Sequence, residues 1–191
     1  MRRFNVILMV VVGWSFLLAD SARAQDTNAP KTKLEAFEAQ TGTVIVKGSA
    51  LIGSVSAQTG TVSVKCKETI ETSSGQKEYG VAVGLNERPG SEDTTIIDYD
   101  ELDSFLNGID YISKVNPAAM SLPSFIAVYT TRAELRIAVY TSNRRPGTMQ
   151  VALQSNCFGK TRVLLSTDQL AQFQSLIQQA KVKLDFLRTN K

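Results

Sequence analysis

At two points in this chain, 68 residues apart, the spacing of apolar residues switches from strand-like to helix-like. No other feature limits the fold as much. The first switch lies at Ile96-Ile97-Asp98, after which Leu102, Phe105, Leu106, Ile109 and Ile112 follow helical spacing. The second lies at Leu164-Leu165-Ser166, after which Leu170, Phe173, Ile177, Ala180, Leu184 and Leu187 alternate by three and four. Glu101 stands three residues after Asp98, and Gln169 three after Ser166, so both entrances read as capping boxes. Asp100 and Asp103 place negative charge near the positive end of the first helix dipole. Lys114 falls in that helix's last turn, and Asn116-Pro117 stops it. Gly108 weakens it by about 1 kcal/mol relative to Ala, so this helix depends on packing.

Ahead of each switch the chain is rich in Val, Ile and Thr, with turn residues at intervals, which reads as strands. A repeat opens the first such region: Gln40-Thr41-Gly42-Thr43-Val44 recurs 18 residues later as Gln58-Thr59-Gly60-Thr61-Val62. Two copies are too few for a solenoid, so they read as two strands of a meander with glycine-containing turns. Further strands are expected at Tyr79–Leu85 and Thr94–Ile97, separated by a loop at Asn86–Gly90. Four more are expected at Phe125–Thr130, Leu135–Thr141, Thr148–Leu153 and Thr161–Leu165. The fold class is therefore α+β: antiparallel sheets with two helices, in a tandem ββββα-ββββα arrangement. The expected organisation is one domain over 37–191 made of two similar halves, about 37–116 and 117–191. A polar linker over 25–36, able to hold one helical turn at its end, precedes it.

The first 24 residues read differently. Arg2 and Arg3 precede a 14-residue apolar run, Val6 to Ala19, and Ala22-Arg23-Ala24 stands just before Gln25. A basic start, an apolar run shorter than the roughly 20 residues of a membrane-spanning helix, and an A-x-A end read as a secretory signal cleaved between Ala24 and Gln25. Cleavage removes Arg2, Arg3, Arg23 and Asp20, which takes the net charge from +3 to +1. The mature chain then has no further membrane span and is expected in a periplasmic or extracellular setting. Its near-neutral charge leaves no electrostatic footprint for nucleic acid.

Cys66 and Cys157 are the two cysteines, and each continues an alternating apolar set. In an oxidising compartment they can form a bridge contributing about 3–5 kcal/mol, or stand as two separate buried thiols. The chain has no His, which removes Ser-His-Asp and Cys-His nucleophile systems and His-based zinc sites. Gly159-Lys160-Thr161 lacks the upstream Gly of a phosphate-binding loop and leads into a strand. The acids at 98–103 do not fit a calcium loop, because Leu102 and Asp103 stand where an oxygen ligand and a Gly belong. No catalytic, metal or cofactor site is therefore expected. Arg144 and Arg145, at an expected hairpin tip, are the one pair placed to meet an anionic partner; the same pair also solubilises a loop.

The segment "ELRIAVYTSNRRPGTMQVALQSNCFGKTRVLLSTDQLAQFQSLIQQAKVKL" resembles the β-β-β-α portion of PUR-alpha and Whirly-type units, and the doubling over about residues 50–188 is similar. The resemblance implies a curved antiparallel sheet and single-stranded nucleic-acid binding. That activity is not carried over, because the mature charge is balanced and Tyr129 and Tyr140 are few for base stacking. The chain also resembles short exported bacterial proteins, which implies no activity. The expectation is a non-catalytic binding or envelope accessory module with a protein partner. Sheet faces and strand edges are the expected contact sites, and the sheet can also pair across a homodimer. A carboxylate-dependent exported hydrolase is the alternative.

Overall fold

A computed structural model describes residues 29–88, 91–116, 121–122, 124–141, 149–155 and 161–190. The expected signal cleavage at Ala24 and Gln25, the Arg144-Arg145 pair and Cys157 lie outside the described residues. Among the described residues, eight strands form two sheets, each a meander in chain order. The first sheet holds β1 (Ile45–Ala57), β2 (Gly60–Glu71), β3 (Lys77–Arg88) and β4 (Ser91–Asp98). The second holds β5 (Ile126–Thr130), β6 (Arg136–Thr141), β7 (Met149–Gln154) and β8 (Arg162–Leu165). All neighbouring strands are antiparallel. β3 runs on to Arg88 and β4 begins at Ser91, so the loop expected over 86–90 is mostly strand.

Among the described residues, three helices accompany the sheets: α1 (Lys33–Glu38), α2 (Leu102–Ser113) and α3 (Thr167–Thr189). The protein is thus α+β with a tandem ββββ pattern, one helix more than the two expected. The extra helix, α1, forms at the end of the stretch read as a linker. It buries Leu34 and Phe37, with Leu34 packed on Ala82 and Ile96 on the outer face of the first sheet.

Each long helix leaves its own sheet and covers the other one. α2 follows β4 but packs on β5 and β6, while α3 follows β8 and packs on β1, β2 and β3. The inner faces supply the reason. Val62, Val64, Cys66, Val81, Val83 and Ile97 of the first sheet are buried with Phe173, Ile177, Ala180 and Leu184 of α3 in one continuous core. Ile137, Val139, Leu153 and Val163 of the second sheet belong to the same core, as do Phe105 and Ile109 of α2. Phe105 and Phe173 meet edge to face at 6.1 Å between ring centroids, joining the two helices at the centre. The β1–β2 hairpin then docks on β8: Gln58 N–H donates to the Leu164 carbonyl (2.9 Å), and Leu164 N–H donates to Thr59 Oγ1 (2.9 Å). The second copy of the five-residue repeat therefore makes an inter-sheet joint.

Gly108 lets α2 lie against Tyr129 of the second sheet. A Cβ there would lie 2.4 Å from Tyr129 Cδ2 and 2.7 Å from its Cγ. Helix propensity alone says that Gly108→Ala gains about 1 kcal/mol. The overlap involves the root of a ring already packed on Phe105 at 6.0 Å, so the whole ring must shift, at a cost of about 1–3 kcal/mol. We expect a net loss of stability in urea denaturation; a gain would show that Tyr129 yields freely.

The two helix entrances share a backbone but not a cap. Ser166 forms the expected box: Gln169 N–H donates to Ser166 Oγ (3.2 Å) and Ser166 N–H to Gln169 Oε1 (2.8 Å). Asp98 is also extended, at φ −63° and ψ 150°, but makes no side-chain hydrogen bond to the single 3-10 turn (Tyr99–Glu101) that follows it. The expected Asp98/Glu101 box is therefore absent. Asp98 instead accepts from Lys33 N–H (2.8 Å) and Leu34 N–H (3.0 Å) at the start of α1. Thr32 and Glu35 complete that start as a true capping box. A six-residue helix has too few internal bonds to hold itself, and donors capped by a distant carboxylate offset that.

Cys66 is a free, buried thiol that donates to the Ala180 carbonyl of α3 at 3.5 Å. Of the two readings open for Cys66 and Cys157, the bridge is not seen among the described residues, which do not include Cys157. Burial pushes the Cys66 thiol above its ordinary pKa, with Lys183 opposing, so the residue acts as a small core side chain. At the β2–β3 turn, the hydroxyls of Ser73, Ser74 and Thr43 donate to Glu71, which holds that carboxyl at about 2. A depressed carboxyl stabilises the folded state above its unfolded pKa. The contribution fades as pH falls and is gone below about 2.

Candidate functional site

Two surfaces compete for the role. The larger is a polar groove of about 540 Å³ beside β4 and the end of α3, lined by Lys33, Lys77, Tyr79, Asp100, Asp185 and Arg188 among others. It gathers acids, as a hydrolase would, but three of them, Asp98, Asp100 and Asp185, are held by neighbouring donors. Asp98 is buried on three donors: Lys33 N–H, Leu34 N–H and Arg132 Nη1 (3.3 Å). Asp100 accepts from Arg132 Nη1 (2.8 Å) and Lys33 Nζ (2.8 Å), which hold its carboxyl below the usual range. Asp185 accepts from the Tyr99 hydroxyl, and Arg188 stacks on the Tyr99 ring at 3.9 Å. An acid catalyst needs a carboxyl raised towards neutral pH and facing the cavity.

Glu101 is the carboxyl that burial raises, although Arg132 opposes the rise through its backbone N–H and its charge. Its Oε1 accepts from Arg132 N–H at 2.8 Å and fixes the β5–β6 turn, while Oε2 is buried without a hydrogen-bond partner. Glu101 is not among the residues lining the groove. The raised carboxyl and the groove therefore do not coincide. Among the described residues no group of three or more Cys, Asp or Glu can hold a metal ion.

The second surface is the outer face of the second sheet. The strand registers set its rows directly: side chains alternate across each strand, and antiparallel partners share a face. One row runs Val128, Ala138, Ala152, Leu164. A second runs Ile126, Tyr140, Gln150, and a third Thr130, Arg136, Gln154, Arg162. Among the described residues no helix packs on this face, whereas α1 covers part of the corresponding face of the first sheet. Ile126 is 64% exposed and Val128 47%, both on the edge strand β5. Ala138 and Ala152 floor a hollow of about 420 Å³ walled by Ile126, Tyr140, Gln154 and Arg162. The Arg162 guanidinium lies over the Tyr140 ring at 4.9 Å from its centroid.

The two tyrosines discounted in the sequence go separate ways. Tyr129 is packed inward against Phe105, while Tyr140 lies on the open face. The alternation of β6, with Ile137 and Val139 buried opposite Arg136, Ala138 and Tyr140, was the available signal for that face. Among the described residues, no helix is long and apolar enough to cross a membrane.

These features define an α+β protein of two helix-exchanged sheets, one of them open on its outer side among the described residues. Comparison with protein families, with curated proteins and with solved structures gave no match to this chain.

Proposed function

We propose that this chain is an exported, non-catalytic binding module that receives an extended segment of a protein partner on its second sheet. One observation carries the reading: an edge strand with exposed Ile126 and Val128 borders a sheet face that no described element covers. An unpaired edge offers N–H and C=O groups to an incoming strand, and the adjoining hollow offers a pocket for its side chains. The leader-like residues 1–24 support export, with cleavage after Ala24. Selection of a displayed random-peptide library on the chain beginning at Gln25 tests the binding role. The selected peptides should bind in extended form and weaken about tenfold or more on Val128→Lys, without a change in melting temperature. Binding indifferent to Val128→Lys would place the partner elsewhere and overturn the reading.

A further inference from the structure

The open face carries a charge that no described residue neutralises. Its strand positions hold two arginines, Arg136 and Arg162, and no Asp or Glu. Elsewhere Lys33, Lys47, Lys67, Lys77 and Arg132 are each in ion pairs. Neither Arg136 nor Arg162 forms an ion pair among the described residues, and the buried Nε of Arg136 has no hydrogen-bond partner. An N–H donor withdrawn from water and left without an acceptor is costly, and an incoming anion would relieve it. The two arginines flank Gln154 in one cross-strand row, about 10 Å apart by strand spacing. Beside them the floor of Ala138 and Ala152 accepts an apolar group.

We propose that the segment bound on this face is an acidic polypeptide, with carboxylates at the Arg136–Arg162 row and apolar side chains in the hollow above Ala138 and Ala152. The proposal rests on the reading of the second sheet as the partner face and adds the chemistry of the partner. Charge complementarity argues for acid, because a fork-shaped guanidinium recognises a carboxylate through paired N–H donors. A polypeptide fits better than a nucleic-acid strand. Two arginines are too few to track a phosphate backbone, the ring of Tyr140 is already stacked by Arg162, and only a polypeptide can use the β5 edge as a strand.

The test uses capped ten-residue peptides alternating Val with Glu, Gln or Lys, and a deoxythymidine oligomer of ten nucleotides. Each is titrated by fluorescence anisotropy against the chain beginning at Gln25. The Val/Glu peptide should bind about tenfold more tightly than Val/Gln, and more tightly still than Val/Lys. That preference should shrink with added salt and disappear in the double variant Arg136→Gln/Arg162→Gln. Arg162→Gln alone, at an exposed position, should reduce it part of the way and keep the native melting temperature. Equal binding of Val/Glu and Val/Gln, lost on Val128→Lys, would overturn the acidic partner while leaving the partner face in place. No binding by any peptide would overturn both. Tighter binding of the oligonucleotide than of Val/Glu, with the same arginine dependence, would assign the row to nucleic acid and overturn the proposal.

Discussion

Gly60→Ala should cost on the order of 4 kcal/mol or more, while the same change at Gly42 should cost about 1 kcal/mol. The two glycines occupy the same position in the two copies of the repeat, yet their surroundings are opposite. At Gly42, φ is +82° and nothing lies within 4 Å of an added Cβ, so the only penalty is the left-handed backbone. At Gly60, φ is +157° and a Cβ would fall 2.1 Å from the Asn86 carbonyl oxygen and 3.0 Å from Glu87 Cα. Those atoms belong to the backbone of β3, paired with β2 through Thr61 and Asn86, so no side chain can swing aside. Relief requires β3 to move away from the β1–β2 turn, which also loosens the Gln58 and Thr59 bonds to Leu164. In a domain of this size each kcal/mol lowers the melting temperature by about 2–4 °C, so Gly60→Ala should melt on the order of 10 °C early. Thermal melting followed by circular dichroism decides it, and equal costs at the two sites would refute the joint.

The second large effect is expected at Asp98. Asp98→Ala removes the acceptor of two backbone N–H groups at the start of α1, and Leu34, one of the two, is buried. Leaving a buried donor unsatisfied costs about 1–3 kcal/mol, and a removed buried charge-paired carboxylate about 3–5 kcal/mol. Arg132 keeps Asp100 as a partner, so the lower part of that range applies, about 3 kcal/mol. The reciprocal change Arg132→Ala should cost about 1 kcal/mol, because its side chain is about half exposed and Asp98 keeps both backbone donors. Asp98→Ala should also release α1 from Ala82 and Ile96, exposing the segment before β1 to limited proteolysis. Urea denaturation and a protease time course read the two consequences separately. Comparable losses for Asp98→Ala and Arg132→Ala would mean that the ion pair, and not the cap, anchors α1.

The strand and helix pattern was legible from residue spacing, down to the Ser166–Gln169 cap, because spacing reports which face of an element is apolar. It does not report what lies against that face. Leu102, Phe105 and Ile109 say that α2 has a buried side; that the second sheet lies there depends on contacts far along the chain. Asp98 shows the same limit. Two acids three residues apart suit a local cap, but α1 brought better donors from 65 positions away. Gly108 read as a weakness because propensity cannot see Tyr129. The candidate face was half visible: β6 alternates plainly, but the Arg136–Gln154–Arg162 row exists only once the register is known.

The exchange of helices also sets a timetable. The first sheet could begin to pair as soon as Asp98 has been made, yet its inner face is closed by Phe173, Ile177, Ala180 and Leu184, among the last residues synthesised. Until then it has no partner for its apolar side, and loop closure over such distances is slow. The chain is therefore held back from completing its fold until nearly all of it is available. Under the export proposed above, such a delay would leave the emerging chain open for threading.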